Sequence, residues 1–340
     1  MKGKKSMASA GKKVLVLGGG GVMGSYLCPR LSEMGYEVDA VSLELIEKTY
    51  PRVRYIQGNA FELLARREIL QNHYDAIVDF MTYPGAKLST YLPLLLEQSA
   101  HYIFLSSYRV YDNKETPITE NSPRLLDSSE DALLRNSDDY SIYKAHAENI
   151  IRAHKSKNWT IVRPGITYSL LRYQLVVNEA ADTVGRAFAG KKLILPAEAY
   201  DVQGSMSRGK DVAEMIARLV LNERAYAETY NVVSNEHHSW GEIAAYYKEI
   251  CGLECLWLEK KEYYDLFDLN NIFRIHDRWK LEYDRLFDRV MDNSKILAHT
   301  GLKQSDLTAL YDGLEYEIKC CPRDYPFKSN PIMDAYLEKI

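Results

Sequence analysis

Near the beginning of the chain an apolar run, Val14-Leu-Val-Leu17, leads directly into glycines, reading Gly18-Gly-Gly-Gly21-Val-Met-Gly24 before a helical pattern takes over. No other feature narrows the fold so far. The order predicts a buried strand, a tight turn and a helix that ends near Gly35. Gly18 permits a turn that a side chain would block. Gly21 lets the backbone approach an anion at the helix N-terminus, and Gly24 lets helix and strand pack closely. In that context the pattern points to the pyrophosphate of a dinucleotide rather than to a merely structural loop. The spacing is G-x-x-G-x-x-G, not the G-x-G-x-x-G of many dehydrogenases.

Short apolar runs alternating with helical patterns continue the theme. Strands are predicted over 38–41, 53–56, 76–80, 102–105 and 159–162, which signals parallel βαβ units. A further strand over 230–233 would return the chain to the same sheet. The fold class is therefore α/β: a Rossmann-type doubly wound parallel sheet with a smaller C-terminal mixed α/β part. The division expected is a flexible basic tail over 1–13, a dinucleotide-binding domain over 14–165 and a substrate-binding domain over 166–340. Beyond Pro164 the pattern predicts a helix over 177–188, a strand over 193–195 and a helix over 211–221. Ser239-Trp-Gly-Glu242 is a capping-box pattern that opens a helix over 243–250. The stretch 260–289 is dense in aromatic and charged residues, as a lid or substrate-side helical layer would be. Most of the 26 tyrosines are core or surface filler, with some between Tyr263 and Tyr283 available to stack on a base.

Charge and cysteine usage exclude several functions. Lys and Arg number 43 and Asp and Glu 47, but five lysines lie in the first thirteen residues, so the body carries 38 basic against 47 acidic groups. A body that acidic repels a phosphate backbone, and no nucleic-acid partner is expected. The five cysteines show no metal-knuckle spacing, and Glu236-His237-His238 lacks a third ligand at a useful spacing; no metal is expected. No apolar run spans a membrane and the N-terminal stretch lacks a secretory core, so a cytoplasmic location is expected.

The chemistry is suggested by Asp139-Tyr140-Ser-Ile-Tyr143-Lys144, which begins an amphipathic helix. Tyr140 and Lys144 are four apart and share one face. A phenol with a reference pKa of ~10 becomes a useful acid–base group when a neighbouring cation favours its ionised form. Upstream, Ser106-Ser107 lies just past a strand end, where ligands bind in open parallel sheets. Ser107 is the candidate hydrogen-bond partner of a reacting substrate oxygen. For the cofactor, an acid some 20 positions after the glycines suits NAD and an Arg suits NADP. The second strand exits at Ser42, with Asp39 too deep and Glu44 two positions past it. NAD is preferred, with NADP the alternative. Arg109 is a candidate clamp for a carboxylate or phosphate, or a partner in a structural ion pair.

Together these residues resemble the extended short-chain dehydrogenase/reductase superfamily, the NAD-dependent epimerase/dehydratase group that modifies nucleotide sugars. The matching elements run from Gly18 to about Gly252. They are Gly18/Gly21/Gly24, Gly58-Asn59-Ala60, Phe80, Ser106-Ser107-x-x-Val110-Tyr111, Tyr140-x-x-x-Lys144 and Arg163-Pro164-Gly165, with Gly204 and Asp211-Val212-Ala213 beyond them. The resemblance implies that Tyr140 is the catalytic acid/base, Lys144 its pKa-lowering and ribose-binding partner, and Ser107 the substrate-hydroxyl partner. It implies a pyrophosphate lined by Gly18, Gly21, Val22, Met23 and Gly24. Asn59 and Ala60 would meet the adenine, and Phe80 and Pro164 would border the nicotinamide half. A homodimer is a further implication.

Departures from the group's pattern also count. Tyr108 and Arg109 stand where 4,6-dehydratases carry an Asp-Glu pair, which argues against that activity. Asn59 replaces an Asp, and Ile166 replaces an Asn that touches the sugar nucleotide. An epimerase needs nothing beyond Ser107, Tyr140 and Lys144, and is the first expectation. A reductase of a keto-sugar is the alternative. A non-catalytic RNA-associated or regulatory protein of the same fold would carry a damaged Tyr/Lys pair, which this chain does not.

Overall fold

Seven parallel strands form the central sheet of the computed structural model, which describes residues 11–85 and 87–340. Six come in chain order: β1 (Lys13–Leu17), β2 (Glu37–Ser42), β3 (Val53–Gln57), β4 (Tyr74–Asp79), β5 (Ser99–Leu105) and β6 (Trp159–Pro164). The seventh, Glu228–Val232, pairs with β6 as an edge strand, so the spatial order is edge strand, β6, β5, β4, β1, β2, β3. Most of the predicted tail lies outside the described residues. Its last residue, Lys13, already belongs to β1, because its amide donates to Asp75 at 2.7 Å and it pairs with Glu37.

Both faces of the sheet are covered, which is why its inner strands read as unbroken apolar runs rather than alternating ones. All of Val14–Leu17 is excluded from solvent. On one face α1 (Val22–Glu33) packs with the helix Gly209–Leu219, burying Leu27, Leu31, Val212 and Ile216 against Val14, Val16 and Val78. The other face takes α2 (Ala60–Ala65), α3 (Leu88–Glu97) and the Tyr140–Ala153 helix, with Leu92, Leu95 and Ile151 against Leu15, Ile77 and Phe104. A third core gathers Tyr108, Val110, Tyr111, Ile118 and Ala145 with residues from 166 onward around Tyr168, Leu193–Leu195, Trp240 and Tyr247.

The later half contains three two-stranded sheets: Ile166–Tyr168 with Met206–Arg208, Gln203–Gly204 with His238–Ser239, and Leu193–Pro196 with Cys255–Leu258. The helix predicted over 177–188 shrinks to Val184–Phe188. Val176 sits at φ 52°, outside the helical region, and Leu175 and Asn178 form an isolated bridge. The capping box forms as predicted. Ser239 accepts from the Glu242 amide at 3.1 Å, Glu242 accepts from the Ser239 amide at 2.7 Å, and the helix runs Trp240–Cys251. The 260–289 stretch is helical in pieces, and Tyr263, Tyr264 and Trp279 are buried in cores rather than presented for stacking. Among the described residues no helix is long and apolar enough to cross a membrane, and no cluster of metal-ligating side chains occurs.

Candidate active site

The site begins at the turn between β1 and α1. Gly18 takes φ +79°, a conformation side chains disfavour. A Cβ on Gly24 would sit 2.3 Å from the Gly19 carbonyl oxygen, so only a glycine lets α1 lie this close to the turn. Gly21 is the N-cap and no side chain caps the helix, which leaves first-turn amides open toward an anion. Those bare amides and the glycine cradle fit the pyrophosphate of a dinucleotide.

Two of the cavities that border this turn hold residues picked from the sequence. One of about 500 Å³ is lined by Gly18, Gly21, Ser42, Glu44, Asn59, Ala60 and Met81, among others. The other, about 270 Å³, is lined by Val22, Met23, Ser107, Arg109, Tyr140, Pro164, Arg172, Lys280 and Arg285, with further residues. Three of the residues picked from the sequence line neither. Gly24 lies behind the turn, Phe80 packs its Cβ 3.3 Å from where a Gly18 Cβ would be, and Lys144 is buried beneath the floor. Asn59 does reach the first cavity, but its side-chain oxygen caps α2 by accepting from Phe61 N at 3.0 Å and its amide donates to Glu62. Asp39 is excluded from any ribose: Arg54 holds it at 2.7 and 2.6 Å and Tyr74 donates to it at 2.6 Å. Glu44 is the acid left facing that cavity.

Tyr140 opens its helix behind Asp139, whose carboxylate accepts from the Ser141 amide at 2.9 Å and fixes where the helix starts. Burial pushes the phenol up from its ordinary value, while the charge of Arg109, the Ser107 hydroxyl and the charge of Arg172 pull it down. Arg109 lies 5.3 Å from the ring centroid and Lys144 5.8 Å. Lys144, the cation expected to lower the phenol, is held by the backbone. Its ammonium donates to Leu105 O at 2.6 Å and Met81 O at 3.3 Å, and full burial brings its own pKa down to about 8.

Beneath the phenol lies a buried network absent from the sequence reading. Glu148 accepts from Ser106 at 2.6 Å, from Arg163 at 2.8 and 2.6 Å and from Arg124 at 3.1 Å. Arg163 also donates to Tyr111, which donates to Asn231 on the edge strand at 2.6 Å. Burial opposes ionisation of Glu148, but Arg163 chiefly, with Ser106 and Arg124, brings it down to about 2. The network locks the Tyr140 helix against β5 and β6. Arg172, Lys280 and Arg285 were also missed, since they converge from segments distant in sequence; the charge density of 260–289 was the one available signal.

A glycine turn on the first crossover of a doubly wound parallel sheet, with a Tyr-x-x-x-Lys helix across the strand ends, defines a dinucleotide-binding protein of the short-chain dehydrogenase/reductase kind. The chain belongs to the NAD dependent epimerase/dehydratase family, whose model matches residues 14–232. Solved structures with the same fold include an epimerase from Methanothermobacter thermautotrophicus (15% identity, TM-score 0.70, 92% of each chain covered). UDP-glucuronic acid 4-epimerase from Bacillus cereus, solved with UDP-glucuronic acid and NAD, is 17% identical at a TM-score of 0.66, covering 90% of this chain and 98% of that one. The terminal R domain of the myxalamid PKS-NRPS biosynthetic pathway also aligns, at 16% identity and a TM-score of 0.66 over 92% and 91% of the two chains. No curated protein sequence matches.

Proposed function

We propose that this protein is an NAD-dependent epimerase acting on a nucleotide sugar. The observation that carries the reading is the meeting of Ser107 and Tyr140 in one cavity that adjoins the glycine turn. In this reading the cofactor's pyrophosphate rests on the amides of Val22 and Met23 at the start of α1, and its adenosine half enters the cavity lined by Ser42, Asn59 and Ala60. Bound NAD supplies a reversible hydride acceptor. Ser107 orients the reacting sugar hydroxyl, and the Tyr140 phenolate takes its proton and later returns it. Lys144, through its bonds to the carbonyls of Leu105 and Met81, ties the Tyr140 helix to the ends of β5 and β4. Tyr108 and Arg109 supply no carboxylate for removing water, which supports epimerisation over 4,6-dehydration. Glu44 facing the adenosine cavity, with Arg54 bound to Asp39, supports NAD over NADP.

The test is turnover of UDP-sugars by NAD-loaded protein. Tyr140→Phe is expected to lose about 10²–10⁴-fold in turnover while retaining the thermal shift given by NAD. Full activity in that variant overturns the mechanism. Stoichiometric consumption of a reduced cofactor, instead of catalytic interconversion, overturns the epimerase assignment in favour of a reductase.

A further inference from the structure

The cavity at Tyr140 inverts the charge of the chain around it. The body is acidic, yet four cations line this cavity, Arg109, Arg172, Lys280 and Arg285, against the single acid Glu179. Their states differ. Arg285 is committed to the fold: it donates to Val176 O at 2.7 Å, Tyr108 at 2.6 Å and Gln174 at 3.1 Å, and pairs with Asp284. Lys280 donates to Val177 O at 3.2 Å. Arg109 faces Asp284 at 3.4 Å through its buried Nε and Asp139 at 3.6 Å through a terminal nitrogen, and its terminal nitrogens make no hydrogen bond among the described residues. The Arg172 guanidinium makes no hydrogen bond or ion pair among the described residues, and it is exposed at the cavity wall. Two guanidinium groups with open donors therefore flank the phenol. Such planar, charged forks match a carboxylate or phosphate.

Position decides which anion. Arg109 follows Ser107 by two residues and lies 5.3 Å from the Tyr140 ring. An anion held there would be on the part of the sugar that meets Ser107 and Tyr140, not on the far end that carries the diphosphate. We infer that the substrate is an acidic sugar, with a carboxylate on the carbon adjacent to the reacting one, gripped by Arg109 and Arg172. This rests on the nucleotide-sugar reading above and narrows it.

The test compares UDP-glucuronic acid with UDP-glucose, which differ by that carboxylate, and with UDP alone, all against NAD-loaded protein. The acid is expected to bind at least about tenfold more tightly than UDP-glucose, the gain from a charge-assisted hydrogen bond. Arg172→Met, at an exposed position, is expected to bring that preference to within about threefold of unity while changing UDP affinity less than that of the acid. Equal binding of the two sugars to the unmodified protein overturns the inference and leaves the epimerase reading standing. An equal loss of UDP and UDP-glucuronic acid in Arg172→Met also overturns it, because the arginine then holds the diphosphate. Binding of neither sugar by protein that retains NAD removes the nucleotide-sugar reading and the inference with it.

Discussion

Lys144 and Arg109 are both near the Tyr140 ring, at 5.8 and 5.3 Å from its centroid, but differ in what holds them. Lys144 is turned to two backbone carbonyls, and Arg109 is the cation with most influence on the Tyr140 phenol. Removing Arg109 leaves burial less opposed, so the phenol ionises at higher pH. Arg109→Met should therefore move the rising limb of the turnover profile to higher pH, as read from initial rates across pH. At the turn itself, Gly24→Ala would force α1 away from the Gly19 carbonyl. The expected result is a lower melting temperature and a weaker NAD-induced shift, both measurable by thermal denaturation.

Among the elements, the Trp240–Cys251 helix is the clearest case of local sequence dictating structure. Ser239→Ala removes the acceptor for the Glu242 amide and should lower stability by about 1 kcal/mol in urea unfolding. The central strands were equally legible, because a strand covered on both faces carries a continuous apolar run. The 177–188 segment was not. Its apolar spacing suits a helix, but Arg285 and Lys280 take the carbonyls of Val176 and Val177, and Val176 has left helical space. Those same two cations are half of the cavity's positive lining, so one long-range event hid both the turn and part of the site. Ser107, Tyr140 and Lys144 were readable from spacing and strand ends. Arg172, Lys280 and Arg285 meet only once the chain has folded, and Glu148 gave no sign because its partners lie on other strands.

For the whole molecule, two buried groups contribute to the loss of stability in acid. Glu148 has an ordinary value of 4.5 and a folded value of about 2, so the unfolded chain protonates first. Its contribution is complete above pH 4.5 and disappears as pH falls toward 2. His101 Nδ1 accepts from the Leu221 amide at 2.9 Å, its Nε2 lies 2.8 Å from the Thr160 hydroxyl, and burial lowers its pKa from 6.5 to about 3. The unfolded chain again takes up the proton first, so stability drops as pH falls from 6.5 to 3. Denaturant midpoints should decline over both windows. Glu148→Gln should cost about 3–5 kcal/mol at neutral pH, since it leaves Arg163 buried without its counter-charge.

The edge strand Glu228–Val232 bears on any attempt to divide this chain. A fragment stopping after β6 would bare a row of unpaired backbone amides and carbonyls along Trp159–Pro164, the kind of border that recruits foreign strands. Asn231 would leave with the missing piece, and Tyr111 would lose the oxygen that receives its hydroxyl hydrogen. The cofactor-side half is thus completed by a ribbon encoded far downstream. Expressed by itself it should aggregate, and its partner piece, supplied in trans, should rescue it.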